Sequence, residues 1–405
     1  MGHSPANRST WPSLRHEECV WIPAEGTLSR RATQQLTGPY QAGIPPQIAG
    51  LDPDVSAGVA ADAEQASVEM AHFDAEAADV MGTAEFAPMA SVLLRSESAA
   101  SSQIEHLTAG ARQLALAELP GAGSEASKNA RTVAGNVAAM RAALDLAERP
   151  DSGAILAMHA ALLDGHRDAR PGAWREEQVW VGGRAPTEAA FVPPPPEYVP
   201  LAMNDLAAFC ARRDVPALTH VAVAHAQFET VHPFVDGNGR TGRALAHAML
   251  RRSGITRRVT VPISAGILTD TGAYFAALDA FRQGRIEPIV EIFVRSAETA
   301  ISNGRRLLDD LRRLRSDWKA RVTARAGASV WRALDLVIAQ PVLDVPYLQQ
   351  HLQVAYTSAA GAIQTMTEAG ILLPSVVGRR RNRVWHAPEV LEALDDFAER
   401  AGRRS

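Results

Sequence analysis

A chain of 405 residues, 46% hydrophobic and 21% charged, is long enough to bury more than one core and is expected to form two or three domains. Its two cysteines, Cys19 and Cys210, exclude a disulfide framework or a zinc cluster and suit a reducing cytoplasm. The net charge of −4 gives no global pull on nucleic acid, and the absence of a signal-like N-terminus or a long uncharged apolar run leads to the expectation of a cytoplasmic protein with no membrane partner.

Residues 1–43 scatter Pro, Gly, Ser and Arg without a clean period and read as an extended or partly ordered arm. From 44 to 149 the chain is rich in Ala, Glu and Met, with apolar residues at three- and four-residue steps, so amphipathic helices are expected there. "LPGAGSEASKN" interrupts them, and "ARTVAGNVAAMRAALDLAER" starts a further helix behind a Ser-rich cap. The segment 150–325 opens with a helix, "SGAILAMHAALLDGHR", that stops at Gly165. "EEQVWVGGRAPTEAAFVPPPPEYVP" then predicts a short hairpin turning at Gly182-Gly183 and leading into polyproline conformation. Helical periodicity resumes at Leu201 and continues to about Arg325, with breaks near Gly254 and Gly284. In the last segment, 326–405, three short helices precede two β-prone runs around Gly378, the order of a winged helix. The fold class expected is therefore mainly α, with a β-hairpin flap and a C-terminal winged-helix domain.

"HPFVDGNGRTGR", residues 232–243, lies between two helical segments. Gly237, Asn238 and Gly239 allow several main-chain N–H groups to converge on an anion. Arg240 and Arg243, three residues apart in the first turn of the next helix, can both reach phosphate oxygens, and the helix N-terminus adds its own positive end. Asp236 at the lip would repel a phosphate unless a divalent cation lay between them, and Mg2+ suits one carboxylate plus phosphate oxygens. His232 can serve as a neutral base near physiological pH, and Phe234 is expected to point inward. The chemistry implied is nucleotidyl or phosphoryl transfer from a Mg-nucleotide to a hydroxyl. Isolated histidines such as His220, His225 and His247 are read as core or helix-surface residues.

This ordered motif resembles the signature of the Fic family. "GAWREEQVWVGG" with "AFVPPPP" is similar to the flap that precedes the Fic core, and "VPISAGILTDTGAYFAAL" to the segment that follows it. The resemblance implies a Fic helical core and transfer of AMP from ATP to a Ser, Thr or Tyr hydroxyl of a protein, the chain itself included. His232 would be the base, Asp236 the Mg2+ ligand, and Gly237, Asn238, Gly239, Arg240, Thr241, Gly242 and Arg243 the phosphate site. Tyr274 and Phe275 fall where relatives place aromatic residues beside the adenine; composition alone reads them as core. Arg282 stands near a position often held by Asn. "SSQIEH", residues 101–106, resembles the family's inhibitory motif through Ser101 and Glu105, with His106 in place of the usual Gly or Asn. In relatives that glutamate pairs with the second arginine, here Arg243, and the same site can also remove AMP. Ser102 and Glu105 equally match an S-x-x-E capping box at a helix N-terminus. The flap residues Ala190, Phe191 and Val192 are candidates for pairing with a target strand, against the alternative of a plain surface hairpin.

The arginines of "GRRRNR", 378–383, form a basic wing tip that can neutralise DNA phosphates. Thr357, Ser358, Gln364 and Thr365 are the base-reading candidates on the preceding helix. DNA, another protein and a second copy of the chain are the candidate partners of this domain, against the alternative of a purely structural role. The reading from another class is a DNA-binding regulator whose core senses nucleotide.

Overall fold

The computed structural model describes residues 11–24, 29–79, 88–120, 126–145, 151–164, 170–377 and 382–402. These are mainly helical, with few strands. The chain begins with strand β1 (Arg15–Trp21), helix α1 (Arg30–Leu36) and strand β2 (Gly38–Ile44). Helices α2 (Ala57–Asp79), α3 (Pro88–Ile104), α4 (Ala111–Glu118), α5 (Lys128–Asp145) and α6 (Ser152–Leu162) follow. After the flap come α7 (Val199–Ala211), α8 (Ala217–Val231), α9 (Asn238–Ser253), α10 (Ile263–Ile267), α11 (Thr271–Arg282) and α12 (Glu287–Arg321). The C-terminal part runs α13 (Ser329–Ala339), β3 (Val342–Leu343), α14 (Val345–Leu352), α15 (Tyr356–Glu368), β4 (Leu373–Val377), β5 (Asn382–His386) and α16 (Pro388–Arg400). The packing gathers into two compact units, one of Met1–Gln65, Ala142–Ser253 and Gly272–Val294, the other of Ala66–Arg141, Gly254–Thr271 and Arg295–Ser405.

In the first unit α8 and α9 form the centre. Every residue of α8 from Leu218 to Val231 is buried, as is α9 from Asn238 to Leu250. Such burial on all sides requires the polar side chains of α8 to bond internally. His220 Nε2 meets the Phe209 carbonyl at 2.8 Å, His225 Nε2 the Tyr274 hydroxyl at 2.8 Å, and Gln227 Nε2 donates to the Pro46 carbonyl at 2.8 Å. His220 and His225 are thus core residues with defined partners. Gly242 lets the two helices approach closely: a Cβ there would lie 2.8 Å from the Phe228 ring and 2.9 Å from Glu229 Oε1.

Two expectations about β structure need correction. The segment read as an extended arm contains an antiparallel ribbon, with β1 and β2 in register from Arg15↔Ile44 to Trp21↔Gly38. It escapes a periodicity reading because pairing and a few end contacts hold it rather than a continuous apolar face. Trp21 packs edge-on to Trp180 at 5.3 Å, the Tyr198 hydroxyl donates to Glu17 Oε2 at 2.8 Å, and the Gly43 N–H donates to the Val192 carbonyl at 2.8 Å. The flap, expected as a hairpin, holds a single bridge, Val181↔Phe191. The turn at Gly182 and Gly183 is present with both residues at positive φ, and a Cβ on Gly183 would meet the Glu188 carbonyl oxygen at 2.5 Å. The prolines that follow have no N–H with which to extend a ladder.

In the second unit β3, β5 and β4 form an antiparallel sheet in that order, beside helices α13 to α15. The two-residue strand β3 is too short to carry a pattern in sequence. Asp344 caps α14 by accepting from the Tyr347 N–H at 2.7 Å. On α15, Thr357, Ser358 and Gln364 are exposed, while the Thr365 hydroxyl donates back to the Gly361 carbonyl at 3.0 Å. The basic tip, 378–381, lies outside the described residues. Arg95 of α3 joins this part to α4. Its Nε donates to Glu118 Oε2 at 2.7 Å, and its two terminal nitrogens donate to the Ala339 carbonyl at 2.9 Å and Gln340 Oε1 at 2.8 Å. Gln340 in turn donates to the carbonyls of Ala115 and Val342.

Arg95→Ala would leave Glu118, the Ala339 carbonyl and Gln340 short of a donor inside the unit. The expected cost is about 3 kcal/mol, seen as a lowered urea midpoint for the transition that melts this unit, with Arg95→Lys recovering part of it.

Candidate functional site

The twelve-residue motif forms the turn between α8 and α9. Helix α8 ends because His232 takes a left-handed conformation, φ 49° and ψ 61°, with its N–H still donating to the Phe228 carbonyl at 2.9 Å. Phe234, fully buried, anchors the turn. Asn238 closes it: its Oδ1 accepts from the Phe234 N–H and its Nδ2 donates to the Phe234 carbonyl, both at 2.8 Å. One amide side chain therefore satisfies both main-chain groups of a buried residue. Gly237 adopts a φ of 77° on the way into α9, a value that favours glycine.

The polar groups separate by burial. Arg240 and Arg243 are buried in the first turns of α9. The Thr241 hydroxyl is buried with no hydrogen-bond partner among the described residues. Asp236 is exposed, with Oδ1 accepting from the Gly237 N–H at 2.6 Å and lying 3.4 Å from a terminal nitrogen of Arg240. Two arginines and a hydroxyl are thus buried at the start of α9, and a carboxylate stands exposed beside Arg240. The His232 side chain is about one-fifth exposed, and its Nδ1 is 3.9 Å from Oε2 of the buried Glu229.

Three supporting residues were not singled out by sequence reasoning. His159 of α6 stacks on Phe234 at 3.6 Å with an interplanar angle of 5°. Its Nδ1 accepts from the Gly172 N–H, which leaves Nε2 to donate to the Asp236 carbonyl, both at 3.0 Å. Burial holds this ring below the usual histidine pKa, so it is the neutral Nε2–H tautomer. Arg175, at the start of the flap, donates to the His232 carbonyl at 2.9 Å. Glu229 is the third. Each is far from the motif in sequence or carries no spacing signal, and only the "GAWREEQVWVGG" likeness pointed near Arg175.

Other expected residues fall in different settings. Tyr274 is a core residue, 1% exposed, bonded to His225, whereas Phe275 beside it is half exposed. The Arg282 guanidinium lies 3.6 Å over the Phe191 ring and donates to Asp279 Oδ1 at 2.8 Å; burial lowers its pKa. Much of the flap main chain is engaged within the chain. The Ala190 and Phe191 N–H groups donate to the Val181 carbonyl, Phe191 O accepts from the Val181 N–H, and Val192 O accepts from Gly43. In the second unit, Ser101 is buried and Glu105 exposed at the end of α3. Ser102 Oγ donates to the Ser98 carbonyl at 2.7 Å and accepts from Asn136 Nδ2 at 2.5 Å. The capping-box alternative is therefore excluded: Ser102 and Glu105 stand at the C-terminal end of a helix, where no N-terminal N–H groups await a cap.

Residues 150–250 match the model of the Fic/DOC family. The sequence is 31% identical over 150 residues to the protein adenylyltransferase fic-1 of Caenorhabditis elegans, covering 36% of this chain and 27% of that protein. It is 30% identical over 151 residues to the protein adenylyltransferase Fic of Nematostella vectensis, covering 36% of this chain and 32% of that one. The chain thus spans about a third or less of the length of these curated relatives. A Fic family protein from Desulfovibrio desulfuricans G20 shares its fold, with a TM-score of 0.50 at 19% identity over 83% of this chain and 98% of the other.

Asn238→Ala would leave the Phe234 N–H and carbonyl buried and unpaired. A loss of about 2 kcal/mol is expected, measured as a lower denaturation midpoint, and Asn238→Asp should restore the bond to the N–H alone.

Proposed function

Because the chain carries a Fic domain over residues 150–250, we propose that it is a protein adenylyltransferase, moving AMP from ATP to a Ser, Thr or Tyr hydroxyl of a target protein or of itself. The observation that carries this reading is the motif turn, where Arg240 and Arg243 are buried in the first turns of α9, the Thr241 hydroxyl has no hydrogen-bond partner among the described residues, and Asp236 is exposed beside a partly exposed His232. Two arginines in the first turns of a helix are the kind of set that recognises phosphate oxygens. His232 takes the proton of the target hydroxyl through Nε2, since Nδ1 faces Glu229. The target oxygen bonds to the α-phosphorus, the bond from that phosphorus to the bridging oxygen breaks, and pyrophosphate leaves on the arginine side.

The donor set fits Mg2+. Among the described residues no cluster of three His, Cys, Asp or Glu side chains is placed to hold a metal, and Mg2+ in nucleotide sites takes one or two carboxylates with phosphate oxygens. Asp236, exposed and fixed by the Gly237 N–H, would be that carboxylate. The bound ion would offset phosphate charge.

Glu105 is proposed as the inhibitory residue. Support comes from the likeness of "SSQIEH" to the family motif and from the loss of the capping explanation. The same carboxylate could orient water for removal of AMP. The C-terminal part from 326 is proposed as a winged helix whose exposed α15 residues and basic tip contact DNA or protein. Among the described residues no helix is long and apolar enough to cross a membrane.

With α-labelled ATP and host lysate, Glu105→Gly should raise protein labelling on the order of tenfold or more over wild type, and Glu105→Gln should do likewise. Two silent mutants would defeat the inhibitory assignment. His232→Ala in the Glu105→Gly background should lower labelling by roughly 100-fold or more while calorimetry still detects ATP binding. Parallel loss of both would make His232 structural. Mass measurement of the adduct distinguishes AMP from another transferred group.

A further inference from the structure

We propose that Arg175 is the positioning residue that sets His232 for reaction and couples that setting to the flap. The inference rests on the reading of His232 as the base. It starts from the end of α8, where the left-handed turn at His232 takes the carbonyls of Val231, His232 and Pro233 out of the helical ladder. Arg175 supplies donors to all three. Its main-chain N–H donates to Pro233 O at 2.9 Å, its Nε to His232 O at 2.9 Å, and one terminal nitrogen reaches Val231 O at 3.5 Å.

The same guanidinium holds the flap. That terminal nitrogen donates to Pro194 O at 2.5 Å and the other donates to Glu177 O at 3.0 Å. Arg175 is 2% exposed, and each of these bonds ends on a main-chain carbonyl. A buried arginine ordinarily pairs with a carboxylate; here the hydrogen bonds end on main-chain carbonyls, and the charge of Glu197 acts through space. Burial brings its pKa down to about 10, so it remains charged at neutral pH.

Geometry gives this arrangement a consequence for catalysis. The planar guanidinium donates in fixed directions, which an ammonium group does not, so the Pro194 side of the flap and the His232 carbonyl sit at set positions around one rigid group. A displacement of the flap is transmitted to the residue that must meet the target hydroxyl. The β1–β2 ribbon holds the flap from the other side through the bond between Gly43 and Val192. Docking of a target against the flap and placement of the base are then one event.

The test uses the full chain in the Glu105→Gly background, with His232→Ala as the inactive reference. Arg175→Ala and Arg175→Lys should each lower kcat for AMP transfer about 100-fold, the size expected for misplacing a reacting group. The Kd for ATP should stay within about twofold, because the phosphate site on α9 is untouched. Free guanidinium ion should restore part of the Arg175→Ala activity. Activity within about threefold of the parent in both variants, or loss of ATP binding in step with activity, would overturn the proposal. If Arg175→Ala fails to fold, Arg175→Lys decides by the same two measurements. A parent no more active than the His232→Ala reference would overturn the functional reading itself, and the proposal with it.

Discussion

The end of helix α8 is the constraint around which the site is arranged. A helix that stops at a left-handed residue releases carbonyls that must find donors elsewhere, and burial of α8 on every side removes water as the donor. Arg175 meets that demand from the flap, and Asn238 meets the corresponding demand at Phe234 from the start of α9. The left-handed turn is thus bounded by side chains from both sides in sequence. Its shape is held by bonds within the chain, the preorganisation that the proposed phosphate site requires.

Charge adds a second condition. Arg175, Arg240 and Arg243 are all buried in one unit, and a buried cation is costly unless its surroundings answer it. For Arg175 the answer is a set of main-chain carbonyls together with the charge of Glu197. For the turn itself, Asp236 lies near Arg240 at 3.4 Å and remains exposed. His159 contributes from beneath as a neutral ring, adding a flat apolar face to Phe234 without adding charge. The turn gains rigidity from an uncharged support.

The motif was legible in sequence because its parts are consecutive: twelve residues contain the proposed base, the carboxylate, the glycines and both arginines. The residues that shape it were not, because folding brings them from far away. Arg175 is 57 positions from His232, and His159 is 77 from Asp236. Neither carries a spacing that marks it, and a buried arginine bonded to carbonyls looks in sequence like any surface arginine. The β1–β2 ribbon was missed for a related reason, since cross-strand pairing and end contacts replace the apolar alternation that a strand reading needs. The S-x-x-E pattern at Ser102 was ambiguous because four letters do not say which end of a helix they occupy. Tyr274 and Phe275 look alike as neighbours, yet the turn of the helix sends the first into the core against His225 and leaves the second half exposed.

That helix direction bears on why Glu105 is where it is. A carboxylate just past the C-terminus of α3 faces the negative end of the helix dipole, an arrangement that disfavours it by about 0.3–1 kcal/mol. The next residue, His106, holds a φ of 62°, a left-handed conformation that is unfavourable by roughly 1 kcal/mol for a residue with a Cβ. A glycine at 106 would relieve the backbone, and loss of the carboxylate at 105 would relieve the dipole. Residues held against local preference belong more often to function than to folding. The buried neighbours Ser101 and Ser102, the latter bonded to Ser98 and Asn136, fix the last turn firmly enough to keep an acidic side chain at a disfavoured helix end. The inhibitory role proposed for Glu105 is compatible with a carboxylate held at that end of the helix.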